Sequence, residues 1–95
     1  MKLYYVVHDI PADTADHDYE FPEGLDYNNA IFVTARVLTR YNTVVDPTSY
    51  YDGAYWGTLS YYNVETKINK FRFTCNIAGA ITKGIFCFAR WYHTR

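Results

Sequence analysis

The chain has 95 residues, of which 49% are hydrophobic and 20% aromatic, and its formal net charge is −1. That length predicts one domain spanning residues 1–95, and a balance so close to neutral excludes a strongly basic nucleic-acid module or a polyacidic tail. No apolar run reaches the length of a membrane span, and no export leader precedes the first acid, so the expectation is no membrane contact and a cytoplasmic location.

The charge is unevenly placed. Residues 1–26 hold seven acids against Lys2, whereas residues 27–95 hold three acids against eight Lys or Arg. Eleven Tyr, six Phe and two Trp dominate the apolar inventory. Rings bury large areas at little rotamer cost, which suits either a small β-rich core or a binding surface. The two cysteines, Cys75 and Cys87, stand among aromatics in "FRFTCN" and "IFCFA". They read as reduced, buried thiols, too few and too widely spaced for a zinc site. Their spacing would let them sit opposite one another on adjacent strands.

Lys2–Ile10, "KLYYVVHDI", reads as a first strand, β-branched and aromatic, and Pro11 ends it. Residues 11–26, "PADTADHDYEFPEGLD", read as an acidic loop rich in Asp, Pro and Gly, and as the most mobile part of the chain over 11–22. Residues 27–42, "YNNAIFVTARVLTRYN", fit two patterns. As a helix, Asp26 caps it and Ala30, Val33, Thr34, Val37, Leu38 and Tyr41 share a face. As a strand, Ile31, Val33, Ala35 and Val37 alternate with Phe32, Thr34, Arg36 and Leu38. Sixteen residues without Gly or Pro exceed a typical strand, so length predicts the helix.

From Ala54 the period becomes two. "AYWGTLSYYN" and "INKFRFTCN" predict a hairpin around Asn63–Lys67, with Tyr62 facing Ile68, Thr58 facing Arg72, Leu59 facing Phe71 and Trp56 facing Thr74. Tyr55, Leu59, Tyr61, Phe71, Phe73 and Cys75 then form the core side. "IFCFARWYH", Ile85–His93, follows as a last strand, with Ile85, Ala89 and Trp91 on that core side and Phe86, Phe88, Arg90 and Tyr92 on the other. The element order is β-α-β-β-β. It predicts an α+β fold, a small, mainly antiparallel sheet of about four strands with one helix packed on one face.

One helix covers one sheet face. The other face would carry Trp56, Tyr62, Lys70, Arg72, Phe88, Arg90 and Tyr92, aromatic and basic together, with Arg72 and Arg90 nearly opposite and wanting an anion between them. An exposed aromatic face marks an interaction site. It is read as the partner-binding surface, with Trp56 its anchor. The acids Asp13, Asp16, Asp18 and Glu20 would meet a basic patch on that partner and speed association.

Catalytic chemistry is thinly represented. "ADHDYE" in the acidic loop lacks the glycine and glutamate that a calcium hand needs at its sixth and twelfth places. No phosphate loop and no nucleophile motif occur, and no metal or cofactor is implied. "KGIFCFARW" places its aromatics out of phase with the RNA-recognition sheet motif. These observations imply a small non-enzymatic binding protein acting by protein–protein interaction, an inhibitor or adaptor of the accessory type carried by phages or mobile elements, which would work in the host cell's cytoplasm. Two alternatives stand beside it: a single-stranded nucleic-acid binder using the aromatic–basic face, and a small acid–base hydrolase or nuclease in which His8, Asp9 and His93 meet where the first and last strands end.

Overall fold

The computed structural model describes residues 2–51, 53–60 and 69–91. Those residues form strands and no helix: β1 Leu3–Asp9, β2 Asp16–Tyr19, β3 Ala30–Thr39, β4 Val44–Val45, β5 Tyr50–Tyr51, β6 Ala54–Tyr55, β7 Gly57–Ser60, β8 Phe71–Cys75 and β9 Ile81–Arg90. A four-stranded antiparallel sheet has the order β1-β9-β3-β4, and a three-stranded antiparallel sheet the order β2-β8-β7. Strands β5 and β6 make a separate two-stranded ribbon. The expected α+β architecture with a packed helix is therefore wrong. The fold is two β layers.

The helix expected over 27–42 is strand β3, which carries a bulge. Phe32 faces Phe88 and Thr34 faces Cys87, so Val33 is an extra residue in β3. A bulge of this kind interrupts the alternation of sides. The inward residues become Phe32, Ala35 and Val37. The helix is expected on length, but turns take up residues 27–29 and 40–41 and leave a strand of ten residues. Asp26 does cap, but only one turn: its Oδ1 accepts from the Asn28 and Asn29 amides at 2.8 and 3.2 Å, and its carbonyl accepts from the Ala30 amide at 2.8 Å. At the far end of β3, Asn42 takes the left-handed conformation, φ 61°, which Asn tolerates better than most residues.

The core lies between the layers. Phe71 and Phe73 of β8 meet Phe86 and Phe88 of β9, with ring centroids 5.0 Å apart for Phe71–Phe86, 5.3 Å for Phe71–Phe88 and 5.4 Å for Phe73–Phe86. All four are buried. Phe21 and Phe32 close over Phe88 at 5.6 and 6.0 Å. This corrects the reading of the last strand. Phe86 and Phe88 face inward against Phe71, while Ile85 and Trp91 face outward. Both sides of β9 are apolar, so alternation cannot choose between them; size does, because the space between two layers rewards the larger rings.

The β7–β8 hairpin pairs Gly57 with Cys75, Leu59 with Phe73 and Ser60 with Arg72. This differs from the expected register by two residues. A shift of two preserves every side chain's face, so Phe71, Phe73 and Cys75 are buried as expected. Gly57 helps set the observed register, because a Cβ there would collide with the Phe73 ring. Tyr61, Tyr62, Ile68 and the Asn63–Lys67 turn lie outside the described residues. Cys75 and Cys87 are both buried and free, but they sit in different sheets rather than opposite one another.

Part of the acidic segment is also strand. Asp16 faces Thr74, and Asp18 faces Arg72 across the β2–β8 ladder. Four residues with two Asp and a His carry no apolar alternation to reveal them, and their pairing depends on the basic strand beside them.

Candidate functional site

The structure does not assemble the expected aromatic–basic surface. Trp56 is 5% exposed and belongs to the core. The chain bends there between β6 and β7: the Trp56 amide donates to the Ser49 carbonyl at 3.2 Å, and its carbonyl accepts from the Asn76 amide at 3.0 Å. That bend breaks the alternation, so Trp56 turns inward while Tyr55, expected in the core, is 57% exposed. Phe88 is fully buried. Tyr62 and Tyr92 lie outside the described residues. Arg72 and Arg90 belong to different sheets and do not oppose each other.

The anion expected between the basic residues comes from the chain itself. Arg72 Nε donates to Asp18 Oδ1 at 2.8 Å and its Nη2 to Asp18 Oδ2 at 3.2 Å, a two-pronged pair. Asp16 Oδ2 accepts a third bond at 3.4 Å. The hydrogen bonds from Arg72 hold the Asp18 carboxyl below the usual carboxylate range. Lys70 lies 3.4 Å from Glu20, and Asp13 accepts from His17 at 2.8 Å, which lowers the Asp13 carboxyl. Arg90 donates to the Gly24 carbonyl at 3.2 Å. Asp16, Asp18 and Glu20 thus pair with Arg72 and Lys70 of the same chain, while Asp16 and Glu20 stay more than half exposed.

Of the acid–base trio, His8 and Asp9 lie among the described residues. The first and last strands are neighbours, as supposed, but antiparallel: His8 faces Gly84 and Leu3 faces Ala89. The end of β9 that leads towards His93 therefore stands about 20 Å along the strand from His8, at roughly 3.4 Å per residue. His93 itself lies outside the described residues. His8 points into the core against Tyr19, centroids 4.3 Å apart, and burial lowers its pKa. Its Nε2 and the Tyr19 hydroxyl are both buried with no hydrogen-bond partner. Among the described residues no three metal-ligating side chains converge, and no helix is long and apolar enough to cross a membrane.

What the structure does expose is the outer face of the four-stranded sheet. Across β1, β9 and β3, Leu3, Ala89 and Ile31 lie in one row, and Tyr5, Cys87 and Thr34 in the next, with the bulged Val33 beside them. A third row holds Val7, Ile85 and Arg36. Tyr5 is 60% exposed, Val7 53%, Ile85 44% and Val33 44%. Ala89 and Cys87, small and buried, lie along β9 between Leu3 and Tyr5 of β1 and Ile31 and Val33 of β3. The Cys87 thiol raises the pKa of the Tyr5 phenol beside it. The charges at the border are already paired: Lys83 lies 3.5 Å from Asp9, and Arg36 3.7 Å from Asp46.

Three strands at ~4.8 Å spacing and five residues at ~3.4 Å give a patch of about 245 Å² in plan, before side-chain relief is counted. Side-chain relief brings it towards the few hundred Å² at which exposed apolar patches are often functional. The sequence does carry its signal. Leu3, Tyr5 and Val7 alternate with Tyr4, Val6 and His8, so both sides of β1 are apolar, and a strand apolar on both sides at the edge of an open sheet must leave one side uncovered.

A cleft of about 700 Å³ opens between β3 and β7, lined by Phe32, Thr48, Tyr55, Gly57, Thr58 and Leu59. Among the described residues that line it, none carries a carboxylate, imidazole or amine.

No family model, curated protein or solved structure matches the chain.

Proposed function

We propose that the protein is a small binding domain that occupies a protein partner through the outer face of its four-stranded sheet, as an inhibitor or adaptor with no chemistry of its own. The observation that carries this reading is the row-by-row apolar register of that face, with Tyr5, Val7 and Ile85 exposed in neighbouring strands. Burying such side chains supplies free energy at about 25 cal/mol per Å². The partner suited to it is a protein with an apolar surface that covers Tyr5, Val7, Val33 and Ile85. The paired charges at the border offer no free field to a polyanion, so affinity depends weakly on salt. A nucleic-acid partner would instead show a steep loss with salt.

The test is affinity capture with the native chain beside Ile85→Glu. Ile85 faces Arg36 across the sheet, so the new carboxylate gains an opposite charge and the fold is retained. A protein captured by the native chain should disappear with Ile85→Glu and persist in salt. Identical capture by both chains overturns the reading.

A further inference from the structure

We propose that the chain pairs with a second copy of itself along β1, joining two four-stranded sheets into one continuous eight-stranded sheet about a two-fold axis at Tyr5. This does not depend on the protein-binding reading above.

The first support is an open ladder. Strand β1 is the outermost strand of its sheet, beside β9. The Ile10 amide donates to the Thr82 carbonyl at 3.0 Å, continuing the β1–β9 register by one pair. In an antiparallel ladder, alternate residues bond to a given neighbour. His8, Val6 and Tyr4 therefore direct their backbone groups at β9, while Leu3, Tyr5, Val7 and Asp9 direct theirs away from it. Among the described residues, no backbone hydrogen bond from another element meets those groups.

The second support is a comparison of edges. Open edges are usually blunted by shortness, charge, proline or a bulge. Strand β4 has two residues and runs into Asp46 and Pro47; β2 has four and presents Asp16 and Asp18; β7 has four. Strand β1 has seven residues, no proline, no glycine and no bulge. Among the described residues it is the longest edge strand, and its one charged residue, Asp9, stands at its end.

The third support identifies the occupant. With the axis at Tyr5, each Tyr5 faces its own symmetry mate, Leu3 faces Val7 and Tyr4 faces Val6. Over Leu3–Val7 outward side chains meet outward ones and apolar meets apolar on both faces, and beyond them Lys2 faces His8, whose charged form is disfavoured by burial. Moving the axis to Val6 sets Leu3 against Asp9. A shift by one residue sets outward side chains against inward ones. With the axis at Tyr5 the five residues Leu3–Val7 are complementary to themselves, which is what a two-fold interface requires.

The experiment is sedimentation equilibrium up to roughly 1 mM, the range in which even a weak dimer is populated. The native chain should move from 11.1 kDa towards twice that mass. Val7→Pro removes an edge-facing amide and leaves the β1–β9 bonds in place, and should weaken association at least 100-fold. Tyr5→Lys, at an exposed position, sets two cations against each other at the axis and should do the same; it decides the matter if circular dichroism shows Val7→Pro unfolded. Ile85→Glu, on the central strand, should dimerise like the native chain, which separates this proposal from the face-binding one. A monomeric native chain at the highest concentration overturns the proposal, as does a dimer that folded Val7→Pro and Tyr5→Lys leave intact.

Discussion

Trp56 and Trp91 are the two tryptophans of the chain, and they are placed oppositely. Trp56 is 5% exposed and Trp91 53%. Replacing Trp56 by Ala removes an indole that buries about 150–250 Å², worth roughly 4–6 kcal/mol at 25 cal/mol per Å². Measured ring-to-Ala changes in cores fall at about 3–5 kcal/mol. A domain of this size has about 5–10 kcal/mol in total, and each kcal/mol moves its melting temperature by about 4–8 °C. Trp56→Ala should therefore lower Tm by at least about 12 °C, while Trp91→Ala should cost about 1 kcal/mol or less. Each variant also leaves a single tryptophan, so fluorescence reports on the survivor alone. In Trp91→Ala the emission of Trp56 should be blue-shifted and resistant to acrylamide. In Trp56→Ala, examined at a temperature where it is folded, Trp91 should be red-shifted and readily quenched. Equal quenching of the two, or an unchanged Tm in Trp56→Ala, refutes the inward turn at the β6–β7 bend.

Burial lowers the pKa of His8, so the folded chain binds that proton less readily than the unfolded one. Its contribution to stability falls as pH drops below the unfolded value of about 6.5; His8→Gln should flatten the stability difference between pH 7.5 and 5.5 in urea titrations, and an unchanged slope refutes the assignment. The depressed Asp18 carboxyl acts at lower pH. Its pairing with Arg72 is fully present above about pH 4 and is lost as pH falls through the depressed value. Arg72→Met should lower stability and speed amide exchange in Asp16–Tyr19 before other strands; uniform exchange would show that β2 is held by something else. Gly57→Ala must displace the Phe73 ring, at about 1–3 kcal/mol by urea titration, and a neutral result refutes the close approach.

Much of the strand content was legible in the residues, and the architecture was not. The hairpin's buried side was readable because Phe71, Phe73 and Cys75 alternate with Arg72 and Thr74, and an error of two in register leaves that side intact. Strand β3 was misread because the whole of 27–42 was taken as one element too long for a strand, whereas turns at 27–29 and 40–41 leave ten residues, Ala30–Thr39. The sides of β9 were misassigned because Phe86 and Phe88 alternate with Ile85, Cys87 and Ala89, and hydrophobicity alone cannot rank two apolar sides. That single inversion moved the expected site to the wrong surface, since it placed the sheet's buried rings outside and its exposed side chains inside. Strand β2 is written in acids, and only the position of Arg72 across the ladder explains why it pairs. The second sheet could not be inferred while residues 27–42 were taken for the covering layer.

The outer-face reading is tested most directly by titrating a captured partner with the native chain, with Ile85→Glu and with Arg72→Met. Ile85 lies in the apolar patch, and Arg72 belongs to the other sheet. Binding through the outer face predicts a loss of at least roughly thirtyfold, about 2 kcal/mol, for Ile85→Glu, with folded Arg72→Met binding as the native chain does. Undiminished affinity of Ile85→Glu, or a loss confined to Arg72→Met, would contradict it.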